Sequence, residues 1–396
     1  MADLLTVADA LARVLRRVEP LPGERVLLTR AAGRILAEAV VSPVDLPPFR
    51  SSSMDGYALR AADVPGVLKV VGRVAAGVPE TRTLEAGEAI EISTGGVVPQ
   101  GADTVVPIER VAGGGDKIEV RDHVVLGDSI RGIGGDIETG ATILEAGERL
   151  TPARLAALAA CGIESVIASR PPRVTVVVTG TELRPPGTPL EPGQIYESNG
   201  IMLAAVLEGA GALVERLAAI EDSEGAHLRA LERALEADVV VTSGGVSVGP
   251  HDLVRRVEAR LGVEEVFWGV AMRPGKPLAF GVRGSTLVFG LPGNPVSALV
   301  GCLLFVRPAL LALQGHPEPA PPFRPGTLAT AVRQRPERDD FVRARVSWAG
   351  DGPVLHPIAG QESHMIVKTT GADTIVHVPR GDGVFPAGTR VRFLPL

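Results

Sequence analysis

Cysteine is nearly absent: of 396 residues only Cys161 and Cys302 carry a thiol. Both lie in apolar segments, outside any CxxC or Cys/His spacing, so a disulfide framework or zinc site is not indicated and buried thiols are expected. Lysine is scarce as well. Lys69, Lys117, Lys276 and Lys368 are the full set, so a lysine inside a motif stands out against a mostly arginine background. No surplus of positive charge exists. The formal net charge is −6, which speaks against a nucleic-acid partner and leaves any anionic ligand to a local pocket. The N-terminus lacks the charged-then-apolar layout of a signal peptide. The most apolar stretch, 295–313, is interrupted by Arg307 and Pro308 and reads as too short to span a bilayer. A cytoplasmic protein with no membrane partner is expected.

Length and patterning then say what is present. The chain is too long for one ordinary core, so several domains are expected. Residues 239–252 are the organising stretch. An apolar, β-branched run gives way to Thr242, Ser243, Gly244, Gly245, Ser247 and Gly249, and an amphipathic segment starts near Asp252. Strand, small polar loop and helix in that order aim backbone N–H groups at an anion, and glycine lets the ligand approach closely. The plain alternative is an ordinary turn between strand and helix.

Around that stretch, 173–314 alternates strand and helix patterns, which predicts a doubly wound sheet with its ligand at the carboxyl ends of the strands. Three polar loops fall there: 179–182, 243–249 and 291–295. Upstream, Thr6 and Asp9 form a capping box for an opening helix. A second helix is predicted over 29–37. Thr151 and Pro152 start a further helix, expected to pack on the N-terminal ones. Between them, 46–139 reads as short strands separated by Gly/Pro/Asp turns, a small β domain inserted into a helical base of 1–45 and 140–172. Residues 173–317 form the α/β domain. After a proline-rich linker, 318–396 suggests a C-terminal β barrel.

The ordered set of motifs resembles a known family. Leu-Pro-Pro-Phe-Arg-Ser-Ser-Ser-Met-Asp-Gly-Tyr-Ala (46–58), Ser-Thr-Gly-Gly-Val-Val-Pro-Gln-Gly-Ala-Asp (93–103) and Ser-Gly-Gly-Val-Ser-Val-Gly-Pro-His-Asp (243–252) are similar to the molybdopterin molybdenumtransferases. Arg-Pro-Gly-Lys-Pro (273–277) and Gly-Leu-Pro-Gly-Asn-Pro-Val-Ser (290–297) belong to the same set. The family includes the C-terminal enzymatic domain of gephyrin. The resemblance implies a multidomain homodimer with a helical base, an inserted β domain, a molybdopterin-binding α/β domain and a C-terminal barrel. It implies that adenylylated molybdopterin is hydrolysed with release of AMP, Mg²⁺ assisting, while molybdate is inserted at the dithiolene in a site at the dimer interface.

Under that resemblance each part of the chemistry finds candidates. Mg²⁺ asks for carboxylates at strand ends: Glu182, Asp222 and Asp252, each of which read alone, without the motif around it, is better taken as a solvated or capping residue. Pterin and phosphates ask for neutral donors: Thr179, Gly180, Ser198, Asn199, Ser243, Gly244, Gly245, Ser247, Gly249, Pro292 and Asn294. Molybdate asks for positive charge: Arg273 and Lys276, with Arg343 and Ser363 from the C-terminal domain, Arg343 being equally readable as a solvated strand residue. Asp55, Thr94 and Asp136 come from the other half of the chain. A second protomer is expected to bring them to the cleft, where Asp55 and Asp136 position molybdate, its waters or the metal. The catalytic set is thus Asp55, Asp136, Glu182, Asp252 and Lys276. Thr181, Arg273 and Gly135 stand where many relatives have aspartate, lysine and glutamate. Two other classes compete: a scaffold of the gephyrin type, and a molybdopterin adenylyltransferase, which is also a possible docking partner. Retention of the acidic residues and Lys276 argues against a pure scaffold. The inserted domain and barrel are extra to an adenylyltransferase.

Overall fold

The computed structural model of the chain describes residues 4–218, 220, 223–245, 253–350 and 352–396. Helix α1 (Val7–Leu15) starts as the capping box dictates: Thr6 Oγ1 accepts from the Asp9 N–H at 3.0 Å and donates to the Asp9 carboxylate at 2.8 Å. Its buried face, Ala10 and Val14, joins the core of the α/β domain. Helix α2 (Pro152–Ala160), capped by Thr151, instead buries Leu158 with Leu36, Leu144, Leu150 and Val166. The expected packing of α2 on the N-terminal helices is therefore corrected; the two helices serve different cores.

The predicted helix over 29–37 is also absent. Leu28–Arg30 makes one 3₁₀ turn, after which Ile35 and Leu36 bridge to Arg149 and Ala168. Gly33, at φ +78°, interrupts any helical run there. Gly23–Leu27 pairs antiparallel with Ser165–Ser169, so the base holds paired strands besides its two helices.

The inserted domain is a six-stranded sheet in the order Thr104–Pro107, Gly56–Leu59, Glu88–Ile92, Gly66–Val74, Lys117–Val120, Val111–Gly114. Alternation puts Tyr57, Leu59, Val106 and Ile118 in one apolar layer and Ala58, Ile90, Ile92 and Val105 in the other. Gly56 is fixed by this packing, not by a turn, because a Cβ there would lie 2.1 Å from the Val106 carbonyl oxygen.

In the α/β domain the strands are β1 (Arg173–Val178), β2 (Leu213–Arg216), β3 (Val239–Ser243), β4 (Glu264–Trp268), β5 (Ala279–Arg283) and β6 (Thr286–Leu291). Their order is β2-β1-β3-β6-β5-β4; the first four are parallel, and β5 and β4 are antiparallel additions. Helices α3 (Asn199–Gly209), α4 (Glu224–Ala234) and α5 (Leu253–Arg260) flank the sheet. The continuous helical stretch Pro295–Leu313 is long and apolar enough to cross a membrane by length and composition, yet 89% of it is buried here. Cys302 lies within it, and burial pushes that thiol up to about 12. Both cysteines are free and buried, as their apolar surroundings predicted.

The C-terminal barrel runs Asp339–Ala349, Gly352–Pro357, Arg324–Leu328, Arg390–Pro395, Thr374–Val378, and closes when the last strand pairs with the first. A two-residue strand, Met272–Arg273, adds parallel to Asp339–Asp340 and ties the barrel to the α/β domain. Phe341, Ile375 and Leu394 finish the join by packing into the α/β core.

Candidate functional site

Parallel strands β1, β3 and β6 end side by side, and the loops after them share one cleft of about 1010 Å³. Thr179, Gly180 and Glu182 come from the first loop, Ser243, Gly244 and Gly245 from the second, and Pro292, Gly293 and Asn294 from the third; Ser198 and Asn199 open α3. Asn199 is the tie. Its amide Nδ2 donates to Ser243 Oγ at 2.9 Å and to the Gly293 carbonyl at 2.7 Å, while buried to 7% exposure. Asn199→Ala strands both acceptors, and a loss of about 1–3 kcal/mol with weaker ligand binding in the cleft is expected, to be read by denaturation and by calorimetry.

Glycine is required where the loops touch. Gly244 has φ +97°, and a Cβ there would sit 2.7 Å from the Thr179 carbonyl oxygen. Gly180 leaves room for Glu182, whose carboxylate oxygens would be 2.7 and 2.8 Å from such a Cβ. Glu182 is exposed at the cleft, whereas Glu197 Oε1 is engaged by the Gly200 N–H at 2.6 Å. Ser198 and Asn294 occupy N-cap positions without a side-chain capping bond, which leaves their polar groups to the cleft. Four sequence candidates, Asp222, Ser247, Gly249 and Asp252, lie outside the described residues. Among the described residues no group of three or more His, Cys, Asp or Glu forms a metal cluster.

A second hollow of about 400 Å³ adjoins the first, sharing Pro277, Pro292, Asn294 and His364 with it. It lies between the α/β domain and the barrel. Arg273, Lys276 and Ser363 line it as the sequence suggested; Arg338 is an addition. Arg343 is not in it. That side chain is 1% exposed and donates to the carbonyls of Met365, Gly360 and Glu362 and to Thr369 Oγ1, at 2.5–3.2 Å. The reading of Arg343 as a solvated residue does not survive, and both of its Nη nitrogens are engaged in pinning the 360–369 segment, not turned to the hollow. The segment in turn carries Ser363, whose carbonyl accepts from the Val296 N–H at 3.0 Å.

Asp55, Thr94 and Asp136 are exposed and line neither hollow. They do share one region of the inserted domain. Ser51–Ser52 pairs with Ile130–Arg131, Gly95 N–H donates to the Ser52 carbonyl, and Asp136 N–H donates to that of Leu46. Thr94 donates to Asp55 Oδ1 through its backbone at 2.6 Å and its hydroxyl at 2.9 Å, which holds the Asp55 carboxyl below the usual carboxylate range. Asp55 is thus a fixed, ionised acceptor on an open face.

Among the residues of these hollows that sequence reading missed are His227 and Arg338. His227, on α4, is 1% exposed, with Nδ1 2.9 Å from the Ser223 carbonyl and Nε2 buried without a partner. No spacing marked it, since α4 reads as an ordinary amphipathic helix. Arg338 sits among other arginines ahead of a strand, again without a pattern.

Comparison with known proteins accounts for nearly the whole chain. Residues 5–162 match a family model described as the MoeA N-terminal region (domain I and II), 175–312 a probable molybdopterin binding domain, and 325–396 the MoeA C-terminal region (domain IV). Molybdopterin molybdenumtransferase 2 of Mycobacterium tuberculosis is 38% identical over 395 residues, 96% of each chain. Molybdopterin molybdenumtransferase of Haemophilus influenzae is 35% identical over 399 residues, covering 99% of this chain and 98% of the relative. A crystal structure of a molybdopterin biosynthesis MoeA protein from Pyrococcus horikoshii superposes with TM-score 0.86 at 28% identity over 100% of both chains.

Proposed function

Because the chain belongs to the molybdopterin molybdenumtransferase family, we propose that it completes molybdenum cofactor by inserting molybdate into adenylylated molybdopterin, with release of AMP. The larger cleft takes the pterin nucleotide, and the arginine- and lysine-lined hollow beside it takes molybdate. The observation that carries this reading is their adjacency: Asn294 and Pro292 form a shared wall, so an oxyanion held by Arg273, Lys276 and Arg338 is next to whatever fills the cleft.

Chemically, water breaks the phosphoanhydride bond to give AMP and molybdopterin, and the two dithiolene sulfurs bind molybdenum while one molybdate oxygen leaves as water with the two thiol protons. Ser198, Asn294 and the hydroxyls at the loop ends orient the substrate. Glu182, the one cleft carboxylate with no side-chain partner among the described residues, suits a hard cation that takes few protein carboxylates and completes its shell with phosphate oxygens. Mg²⁺ held there would offset charge developing on the leaving phosphate. Lys276, exposed at the wall, gives the oxyanion a compact charge.

A homodimer completes the site in this reading. Exposed apolar side chains cluster in sequence around the Asp55 region (Val41, Val44, Phe49, Met54 and Ile133), where a second copy can cover them. Asp55 and Asp136 then reach the other copy's cleft. Free, buried thiols suit a cytoplasmic setting. The test is AMP release from adenylylated molybdopterin, followed by chromatography with and without molybdate and Mg²⁺. Molybdate-dependent AMP is expected. Adenylyl transfer from ATP to molybdopterin instead would favour the adenylyltransferase reading.

A further inference from the structure

We propose that Asp340 is a positioning residue for the oxyanion hollow: its carboxylate anchors Arg273 from the α/β domain to the arginines of the barrel and so sets the gap between the two walls. The proposal rests on reading that hollow as the molybdate site.

The residue is at the only described place where the two domains share strand pairing. Arg273 and Asp340 are register partners in the parallel pair between Met272–Arg273 and the first barrel strand. Asp340 Oδ2 accepts from Arg335 Nε at 3.0 Å and lies 4.0 Å from Arg273 Nη1. Arg338, which lines the hollow, adds its field to the same carboxylate. Arg273 is 37% exposed and lines the hollow itself, so one guanidinium has a carboxylate behind it and the ligand space in front.

Burial makes this carboxylate unusual. Its side chain is 10% exposed, and Oδ1 is buried without a hydrogen-bond partner. Desolvation holds its pKa above the ordinary value although three arginines oppose the shift. A half-satisfied buried carboxylate is a poor stabiliser, because an apolar residue of similar size avoids the desolvation. What it does supply is geometry. Arginine is a long, flexible side chain, and a planar fork grips an oxyanion only when it is held in place. Asp340 supplies that hold from behind, without touching the ligand.

The test uses Asp340→Asn and Asp340→Glu in the full-length protein. Asn keeps the shape and removes the charge; Glu restores the charge one methylene further out. Molybdate binding is measured directly by equilibrium dialysis, and molybdate KM, kcat and the KM for the pterin nucleotide are measured in turnover. For Asn, a molybdate Kd and KM raised about 5–10-fold are expected, with kcat and the pterin-nucleotide KM unchanged and the melting temperature equal or higher; Glu recovers part of the loss. Equal molybdate affinity in wild type and Asn, or a parallel loss for both substrates together with stability, overturns the positioning role. If wild type itself binds no molybdate and Arg273→Ala changes nothing, the reading of the hollow fails, and this inference with it.

Discussion

Arg343→Met is expected to leave the α/β domain folded, release the segment 358–369 and raise the molybdate KM at least tenfold. The guanidinium is the hub of that segment. It makes four hydrogen bonds to it, while the Arg343 backbone exchanges two with the Gln361 amide at 3.0 and 2.8 Å and its carbonyl accepts from the Ile358 N–H at 3.0 Å. Burial lowers the arginine pKa, and the nearby Glu362 opposes the shift; the group remains a cation, solvated by carbonyl dipoles in place of water. Removing it leaves those carbonyls without donors, a loss on the order of 3–5 kcal/mol by analogy with breaking one side of a buried charged network. The penalty falls on the barrel, so calorimetry should show an early-melting unit. Ser363 and His364 move with the segment, and both line the hollow. Kinetics then separate the two readings of Arg343. Loss of stability and of molybdate saturation together fits a hub. A stable protein with unchanged stability but no molybdate binding would make it a ligand after all.

That case shows where sequence reasoning reaches and where it stops. Residue type identified Arg343 as important, and only three-dimensional packing told which partner it has, because a guanidinium binds carbonyls as well as oxyanions. The loops after β1, β3 and β6 were legible for a better reason. A β-branched run followed by glycine and hydroxyl residues is a direct imprint of a parallel strand ending at a ligand cleft, and the structure joins the second and third loops through Asn199 and the first to the second through the Thr179 N–H on the Ser243 carbonyl. The helix caps at Thr6 and Thr151 were legible because they are local. The predicted helix over 29–37 failed because its apolar periodicity serves bridges to Arg149 and Ala168, contacts more than a hundred residues away. The need for glycine at Gly56 was not legible. Its cause, the carbonyl of Val106 across the sheet, has no trace in neighbouring residues. Short-range signals survive translation into structure; pairing across the chain overrides propensity.

A mixture of two dead variants should regain activity. Asp55→Ala and Glu182→Ala each remove an exposed carboxylate, so both proteins should fold, and each is expected to lose AMP release by on the order of 10²–10³-fold. Asp55 carries no core packing, and among the described residues its carboxylate bonds only to Thr94, which its loss frees. Glu182 likewise has no side-chain partner among the described residues, so its loss is felt by the ligand. If the cleft of one copy is completed by the inserted domain of the other, a heterodimer of the two variants holds one site with both lesions and one with neither. Co-expression with different tags and sequential affinity purification isolates that heterodimer, and about half of wild-type turnover per dimer is expected, since one of its two symmetric sites is intact. A site built wholly within one chain gives the opposite result: every cleft in the heterodimer carries one lesion, and turnover stays at the level of the single variants. Light scattering on the same samples fixes the mass, and a monomer would remove the premise before any assay is run. The outcome turns on the position of Asp55, which Thr94 holds ionised and outward, away from both hollows of its own chain.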